Sequence, residues 1–218
     1  MRKIILLVLV IAAGFATQAQ NRLSWGVEAG LNLSHPIAAT AVSPGVNVGV
    51  FGEMQLSKLF SLDAALRYSY KPWRNSKTYY GDSSWDPNLL MLSRKYTGGP
   101  STLELPIHAG FTFPLSRLAS LKIAVGPYFG IGVGGKYKMK RVYTDTDNVE
   151  KTQKESHDIY GKNGSKRFET GLDARVGVEF NRHYNVSLGY QFQFNETTPM
   201  HFPIGKAQVF SVNVGYRF

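Results

Sequence analysis

The chain ends Ala207-Gln208-Val209-Phe210-Ser211-Val212-Asn213-Val214-Gly215-Tyr216-Arg217-Phe218. Apolar residues occupy the even-numbered positions from Phe210 onward, and small or polar residues lie between them. Since successive side chains of a strand point to opposite faces, this alternation predicts a strand with one apolar and one polar face. A chain that ends on such a strand, with an aromatic last residue, is typical of bacterial outer-membrane barrels, whose final strand closes the cylinder against the first.

The same alternation recurs along the chain, and each matching segment has about the 9–11 residues that a tilted transmembrane strand needs. Eight strands are predicted, at residues 25–33, 46–56, 60–70, 103–113, 121–133, 168–180, 184–194 and 210–218. Long connections (34–45, 71–101, 138–167 and 195–206) alternate with short ones (57–59, 114–120 and 181–183). Because outer-membrane barrels have long extracellular loops and short periplasmic turns, the fold class predicted is an all-β, antiparallel, up-and-down transmembrane barrel. Pro106 and Pro127 lie inside predicted strands, where each should produce a bulge or kink.

Aromatic residues on the apolar faces lie near the strand ends, as in the two interfacial girdles of membrane barrels. The predicted periplasmic girdle contains Trp25, Phe60, Phe113, Phe180, Tyr184, Tyr216 and Phe218, and the extracellular one contains Tyr70, Tyr137, Phe168 and Phe194. The alternative is a soluble barrel of lipocalin type, whose apolar face points inward around a ligand. The glycines and opposite charges on the polar face, the aromatic ends and the terminal strand favour the membrane barrel.

The N-terminus predicts an exported protein. Met1-Arg2-Lys3 is basic, residues 4–16 are apolar, and Thr17-Gln18-Ala19 supplies small residues at a cleavage site. The apolar run is shorter than the ~20 residues of a membrane helix, although an uncleaved anchor is the alternative. We therefore expect a signal peptide at 1–19 and a single barrel domain at 20–218 in the bacterial outer membrane. The chain has no cysteine, so disulfides, thiolate metal sites and a lipoprotein anchor are excluded.

The formal net charge of +10 could suggest nucleic acid as a partner. An exported chain seldom meets nucleic acid, and the sequence has no helix-turn-helix, RNA-recognition or zinc-finger pattern. No nucleic-acid partner is therefore predicted. The hydrophobic content of 43% is that of an ordinary soluble protein, as expected when half of every spanning strand is polar.

The polar faces carry many opposite charges that should meet inside the barrel. The predicted lumen network contains Glu28, Glu53, Asp63, Arg67, Glu104, His108, Lys122, Glu169, Asp173, Arg175, Glu179 and Arg217. An eight-stranded barrel is only wide enough to be filled by side chains, so these groups should pair and exclude an open water column. The alternative function for the same groups is a proton or ion pathway.

Catalytic and cofactor signals are weak. Glu104 and His108 share a strand face, but a spacing of four residues separates their Cα atoms by ~13 Å. His35, His157 and His183 show no metal-ligand spacing, and His201 lies in the last long connection. The prediction is therefore a non-enzymatic protein without cofactor or metal. A barrel enzyme that modifies lipid A or cleaves protein is the alternative.

The long connections are basic. Residues 71–100 contain Lys71, Arg74, Lys77, Arg94 and Lys95 against Asp82 and Asp86, and residues 136–167 contain nine Lys or Arg against five acids. Such charge favours contact with outer-membrane lipid and lipopolysaccharide, or with a surface protein or glycan ligand.

Tyr216 and Phe218 are predicted to form an assembly signal that the barrel assembly machinery reads by strand addition.

Three stretches resemble the PorT-like outer-membrane β-barrel family. They are Gln18-Ala19-Gln20, Leu103-Glu104-Leu105-Pro106-Ile107 and the terminal Gly215-Tyr216-Arg217-Phe218. The resemblance covers essentially the whole chain after the leader, and the Leu-Glu-Leu-Pro stretch is its most specific part. Most members of the family are uncharacterised barrels, and its namesake is linked to protein secretion across the outer membrane. The resemblance therefore implies, as a second functional hypothesis, an accessory component of a secretion system.

Overall fold

The computed structural model describes residues 23–37, 39–80, 89–145, 150–160, 164–197 and 206–218. The predicted signal peptide and His201 lie outside these residues. The described residues form ten strands, which are β1 Leu23–Ser34, β2 Ser43–Gln55, β3 Phe60–Tyr70, β4 Trp73–Tyr80, β5 Leu89–Pro114, β6 Ala119–Asp145, β7 Glu150–Asp158, β8 Phe168–Phe180, β9 Tyr184–Gln193 and β10 Gln208–Arg217. Among the same residues, no helix has the length and apolar character that a membrane crossing would require.

Eight of these strands close into an antiparallel ring in the order β1-β2-β3-β5-β6-β8-β9-β10. The ring closes between the first and last strands, which pair from Gly26↔Arg217 to Ser34↔Val209. The Phe218 backbone N–H adds a hydrogen bond of 2.9 Å to the carbonyl oxygen of Trp25. The predicted up-and-down barrel is therefore confirmed, with a terminal strand that seals it.

The apolar face of every ring strand points outward. In β10, Phe210 and Val214 are 55% and 57% exposed, whereas Asn213 between them is 1% exposed and points into the lumen. The girdle residues Trp25, Tyr184 and Phe218 are also among the exposed side chains. An apolar exterior around a polar interior is the arrangement that a bilayer requires, so the lipocalin-type alternative is wrong.

Two of the predicted long connections, 71–101 and 138–167, are wrong as loops, because strands occupy much of their length. Strands β5 and β6 contain 26 and 27 residues and continue well past the ring. Their extensions pair with β4 (Trp73↔Gly98 to Tyr80↔Met91) and with β7 (Lys136↔Asp158 to Thr144↔Glu150). The result is a four-stranded sheet in the order β4-β5-β6-β7, at the end of the barrel opposite the short turns. We call residues 73–80, 89–101, 134–145 and 150–158 the extracellular sheet.

A bulge separates the ring from the extracellular sheet. Ser101 pairs with Gly134 but Thr102 pairs with Gly132, so Val133 is inserted without a partner. Neighbouring Gly135 has φ 138°, a conformation that suits glycine. No bulge occurs at Pro106 or Pro127, where a bulge or kink was predicted: the β5–β6 register is the same at Pro106↔Tyr128 and at Ala109↔Val125, so ladder pairs are missing there without an inserted residue. The kink stays a prediction.

Candidate functional site

The lumen contains the predicted charged residues in three levels, beginning at the periplasmic end. Lys122 Nζ lies 2.9 Å from Glu53 Oε2 and 2.8 Å from Asp63 Oδ2. Arg217 pairs through Nη2 with Glu53 and with Glu179. Two cations thus link three carboxylates, and the five residues stand on five strands (β2, β3, β6, β8 and β10), close to the point where the last strand meets the first.

The middle level is centred on Glu28 and Asp173, both almost fully buried. Arg67 Nε donates to Glu28 Oε1 at 3.1 Å, and Arg175 Nη1 donates to Glu28 Oε2 at 2.8 Å. His108 Nε2 lies 3.0 Å from Asp173 Oδ1, and Arg67 Nη1 lies 3.5 Å from Asp173 Oδ2. These pairs join β1, β3, β5 and β8, so they cross the lumen instead of following its wall.

The upper level contains a residue that the sequence analysis misplaced. Lys71, assigned there to a basic loop, is buried, and its Nζ lies 2.6 Å from both Glu104 Oε1 and Glu169 Oε1. The same ammonium group lies 5.2 Å from the centroid of the Tyr128 ring. Continuing the alternation of β3 by one residue would have placed Lys71 in the lumen, but the prediction stopped at Tyr70.

A neutral amide cluster beside these charges was also missed. Asn47 Nδ2 donates to Asn32 Oδ1 at 2.7 Å and to Asn213 Oδ1 at 3.0 Å, and Asn32 Nδ2 donates to Ser69 Oγ at 2.9 Å. The three asparagines stand on predicted polar faces, so the signal was present in the sequence. The cluster links β10, β1, β2 and β3 across the closure of the ring.

The space inside the lumen is small where the structure describes its lining. A cavity of about 70 Å³ lies in its periplasmic half, lined among others by Glu53, Asp63, His108 and Lys122. That space suits a few water molecules. Glu104 and His108 do not contact each other; they are connected through Arg67 and Asp173, with Arg67 Nη1 3.7 Å from Glu104 Oε2. In the described part of the chain, no group of His, Asp and Glu side chains could hold a metal ion.

The turn after β7 covers the extracellular mouth. The Ile159 N–H donates to the Gly135 carbonyl at 3.0 Å, and the Ile159 side chain is buried. Tyr160 lies against Gly132, where any Cβ would collide with its ring, and the Arg167 guanidinium lies 5.3 Å from the ring centroid. Burial raises the pKa of Tyr160 to about 12, so the phenol stays neutral. Side chains of this turn thus pack into the mouth of the lumen.

The extracellular sheet carries a concentration of lysines on one face. Lys95, Lys140 and Lys154 are direct neighbours across three strands, and Lys138 follows on the same face between Thr97 and Ser156. We call Lys95, Lys138, Lys140 and Lys154 the lysine patch. All four are exposed, and within the described ranges none of them forms an ion pair. Like charges directly opposite each other destabilise a sheet, so the patch favours an anionic ligand.

The predicted assembly residues lie on the outer face at the periplasmic end of β10. The Tyr216 ring contacts Tyr184 at 5.3 Å and Phe218 at 5.7 Å between centroids. His183 stacks on Tyr216 at 5.8 Å, and its Nδ1 lies 2.8 Å from the Arg217 carbonyl oxygen. Phe218 itself is 71% exposed, so its side chain is presented rather than buried.

A closed antiparallel ring with an apolar exterior and ion pairs across its lumen defines a transmembrane β-barrel. The sequence model of the outer membrane protein beta-barrel domain matches residues 18–198, and the chain belongs to that family. It is an outer-membrane protein of bacteria. No curated protein matches the chain.

Solved structures that match the chain include those of two bacterial proteins. Ail, the attachment invasion locus protein of Yersinia pestis, is 15% identical, with 90% of this chain and 98% of that chain covered and a TM-score of 0.37. A second structure of Ail, in complex with the heparin analogue sucrose octasulfate, is 13% identical over 90% and 99% of the two chains, with a TM-score of 0.38. Neisserial surface protein A is 12% identical over 89% and 95%, with a TM-score of 0.39.

Proposed function

We propose that this protein is a non-enzymatic binding barrel of the cell surface, whose extracellular sheet holds an anionic partner. The observation that carries the proposal is the lysine patch. Lys140 stands directly opposite Lys95 and Lys154 on paired strands, about 5 Å apart at Cα, and Lys138 lies two residues away on the same face. A sheet that aligns ammonium groups in this way gains stability when an anion lies between them.

The lumen supports this proposal as a scaffold. Its ion pairs are buried and cross between strands, which holds the ring rigid beneath the extracellular sheet. The cavity of about 70 Å³ is far smaller than the 300–1,000 Å³ of ordinary ligand pockets. We therefore assign the lumen charges a structural role, and we assign neither a catalytic reaction nor a cofactor to them.

The candidate anionic partners are lipopolysaccharide, a surface glycan and an acidic protein. The PorT-like resemblance, with its accessory role in secretion, stays a prediction, as does recognition by the barrel assembly machinery. A lipid-modifying enzyme would need an accessible acid–base pair, and in the described residues His108 is 3% exposed and held by Asp173. Those facts favour binding over catalysis.

The experiment measures retention of the folded, purified protein on immobilised dextran sulfate as salt is raised. A patch variant carries Lys95→Gln, Lys138→Gln, Lys140→Gln and Lys154→Gln, whereas a matched control variant carries Lys58→Gln, Lys77→Gln, Arg117→Gln and Lys151→Gln. Both lose four charges at exposed positions. We expect only the patch variant to elute at much lower salt, since both have the same net charge. Equal elution of the two variants would contradict the proposal.

A further inference from the structure

We infer that the ligand of the lysine patch is the phosphate of lipopolysaccharide in the leaflet around the barrel, bound in the protein's own membrane. This inference rests on the proposed function and names its partner. It depends on the direction in which the patch faces, which the bulge at Val133 determines.

The bulge reverses the facing of β6. Below it, even-numbered residues such as Tyr128 and Gly132 are buried in the lumen, and odd-numbered Ile131 and Val133 are exposed toward lipid. Above it, Lys138 and Lys140 are exposed while Met139 is buried. Without the inserted residue, the even-numbered lysines would continue the lumen face. With it, they continue the lipid-facing wall.

Strand β5 confirms the direction independently, because its own facing does not change. Ser101 Oγ accepts a hydrogen bond of 2.8 Å from the hydroxyl of Tyr68, an outer-face residue. Tyr70, also on the outer face, lies over Gly99, where a Cβ would come 2.2 Å from its hydroxyl oxygen. Gly99 and Ser101 therefore face outward. Lys95 precedes them by four and six residues, so it lies on the same outward face of β5.

The height of the patch places it above the hydrocarbon of the leaflet, at the layer of phospholipid headgroups and beyond it. Val133 is the last apolar outer-face residue of β6 below the extracellular sheet, and Lys138 and Lys140 follow five and seven residues later. At ~3.3 Å per residue and a tilt of ~40°, they lie roughly 13 and 18 Å above Val133. The polar layer adds about 5–7 Å to each side of the hydrocarbon, and lysine side chains reach down by several ångströms. Lys138 therefore reaches down to the layer of phospholipid headgroups, whereas Lys95, Lys140 and Lys154 stand above it, at the level that the larger, sugar-bearing headgroup of lipopolysaccharide occupies.

The lysine patch faces sideways, in the plane of the membrane, as a continuation of the wall that contacts lipid. Lys136, nearest the membrane on this face, stands opposite Asp158, so its charge has a potential partner within the sheet. The four lysines of the patch have no ion-pair partner among the described residues. The species that surrounds them in the outer leaflet is an anionic glycolipid.

The first test measures binding of lipopolysaccharide micelles to the immobilised, folded protein, with the same lipopolysaccharide after enzymatic dephosphorylation as the comparison. We expect the wild type and the control variant to bind the phosphorylated form at least about tenfold more tightly than the dephosphorylated form, and the patch variant to lose that preference. Binding that ignores phosphate, or an unchanged preference in the patch variant, would overturn the inference.

The dextran sulfate measurement separates the two proposals. Retention on dextran sulfate without a preference for phosphorylated lipopolysaccharide would leave the proposed function standing and refute the lipid partner. An acidic protein or a soluble glycan would then be the partner. Failure to bind either probe would overturn both proposals.

The second test measures direction, and it uses the absence of native cysteine. Lys140→Cys and Lys77→Cys each allow the attachment of a single dye. Lys140 is in register with Ser76 across the extracellular sheet, and Lys77 is the next residue after Ser76. The two positions therefore lie at similar heights on opposite faces of the sheet. In vesicles of phospholipid and lipopolysaccharide with headgroup-nitroxide lipid, we expect strong quenching at position 140 and weak quenching at 77. Equal quenching at the two positions would overturn the outward orientation.

Discussion

Lys71 shows how a single residue can decide the interior of a barrel. It is 3% exposed, and its ammonium group lies between Glu104 and Glu169, which would otherwise be two buried carboxylates without a cation between them. Across the described lumen, the seven carboxylates Glu28, Glu53, Asp63, Glu104, Glu169, Asp173 and Glu179 face five Lys or Arg side chains. Each of the five cations pairs with at least two of these carboxylates.

We predict that Lys71→Met destabilises the folded barrel by about 3–5 kcal/mol, because it leaves buried carboxylates without their counter-charge. The measurement is urea unfolding of the refolded protein in lipid vesicles, followed by tryptophan fluorescence. Lys77→Met, at an exposed position of the extracellular sheet, is the control and should change stability by less than about 0.5 kcal/mol. Combining Lys71→Met with Glu104→Gln should cost less than the two separate losses added together. Equal stability of the two methionine variants would show that Lys71 is not essential to the network.

Strands that cross the membrane could be predicted from the sequence, whereas strands outside it could not. Residues 168–180 and 60–70 were predicted with the bounds of β8 and β3, because lipid on one side and packed charges on the other enforce strict alternation. Strands β4 and β7 are polar on both faces, for example Glu150–Asp158, so alternation of hydrophobicity carries no signal there. The bulge at Val133 was invisible because it is a property of the register between two strands.

The same limit applied to the candidate site. The charges inside the ring were located from the sequence because a charge facing lipid is costly, which leaves the lumen as their only place. The basic character of segments 71–100 and 136–167 was also visible, but not the alignment of Lys95, Lys140 and Lys154 across three strands. That alignment depends on which strands pair and in which register.

The terminal strand allows a prediction about assembly. Deleting Phe218 removes an exposed aromatic residue and one backbone hydrogen bond to Trp25, which should cost at most about 2–3 kcal/mol. A closed ladder with the β1–β10 pairs intact should still refold in detergent. If the assembly machinery reads the strand by β-addition, the truncated protein should nevertheless be scarce in cellular outer membranes. The measurement compares refolding yield with surface abundance at matched expression. Normal abundance would show that Phe218 is not an assembly signal.

The molecule combines two parts in different surroundings, a ring that crosses the membrane and an extracellular sheet above the hydrocarbon. The ring is inverted relative to a soluble barrel, with lipid outside and ion pairs inside, and this part supplies rigidity. The extracellular sheet extends one side of the ring, between β3 and β8, and stands above the hydrocarbon of the membrane. Since it is built from continuous extensions of β5 and β6, the lysine patch inherits the rigidity of the ring. A rigid patch loses little conformational entropy on binding, which favours affinity.

The closed interior leads to the last prediction, which concerns ion flow. Arg67 on β3 reaches Asp173 on β8, and Lys71 reaches Glu169 on the same distant strand, so side chains span the lumen. Tyr128 is 0% exposed among them, and the turn at Ile159 covers the mouth. Ions would have to break several buried pairs in sequence, each at a cost of several kcal/mol. In planar bilayers the pure protein should therefore show no stable openings of porin size, while a large porin inserted under the same conditions conducts. Reproducible openings of porin size would mean that the lumen is not filled, and the structural role assigned to its charges would then be wrong.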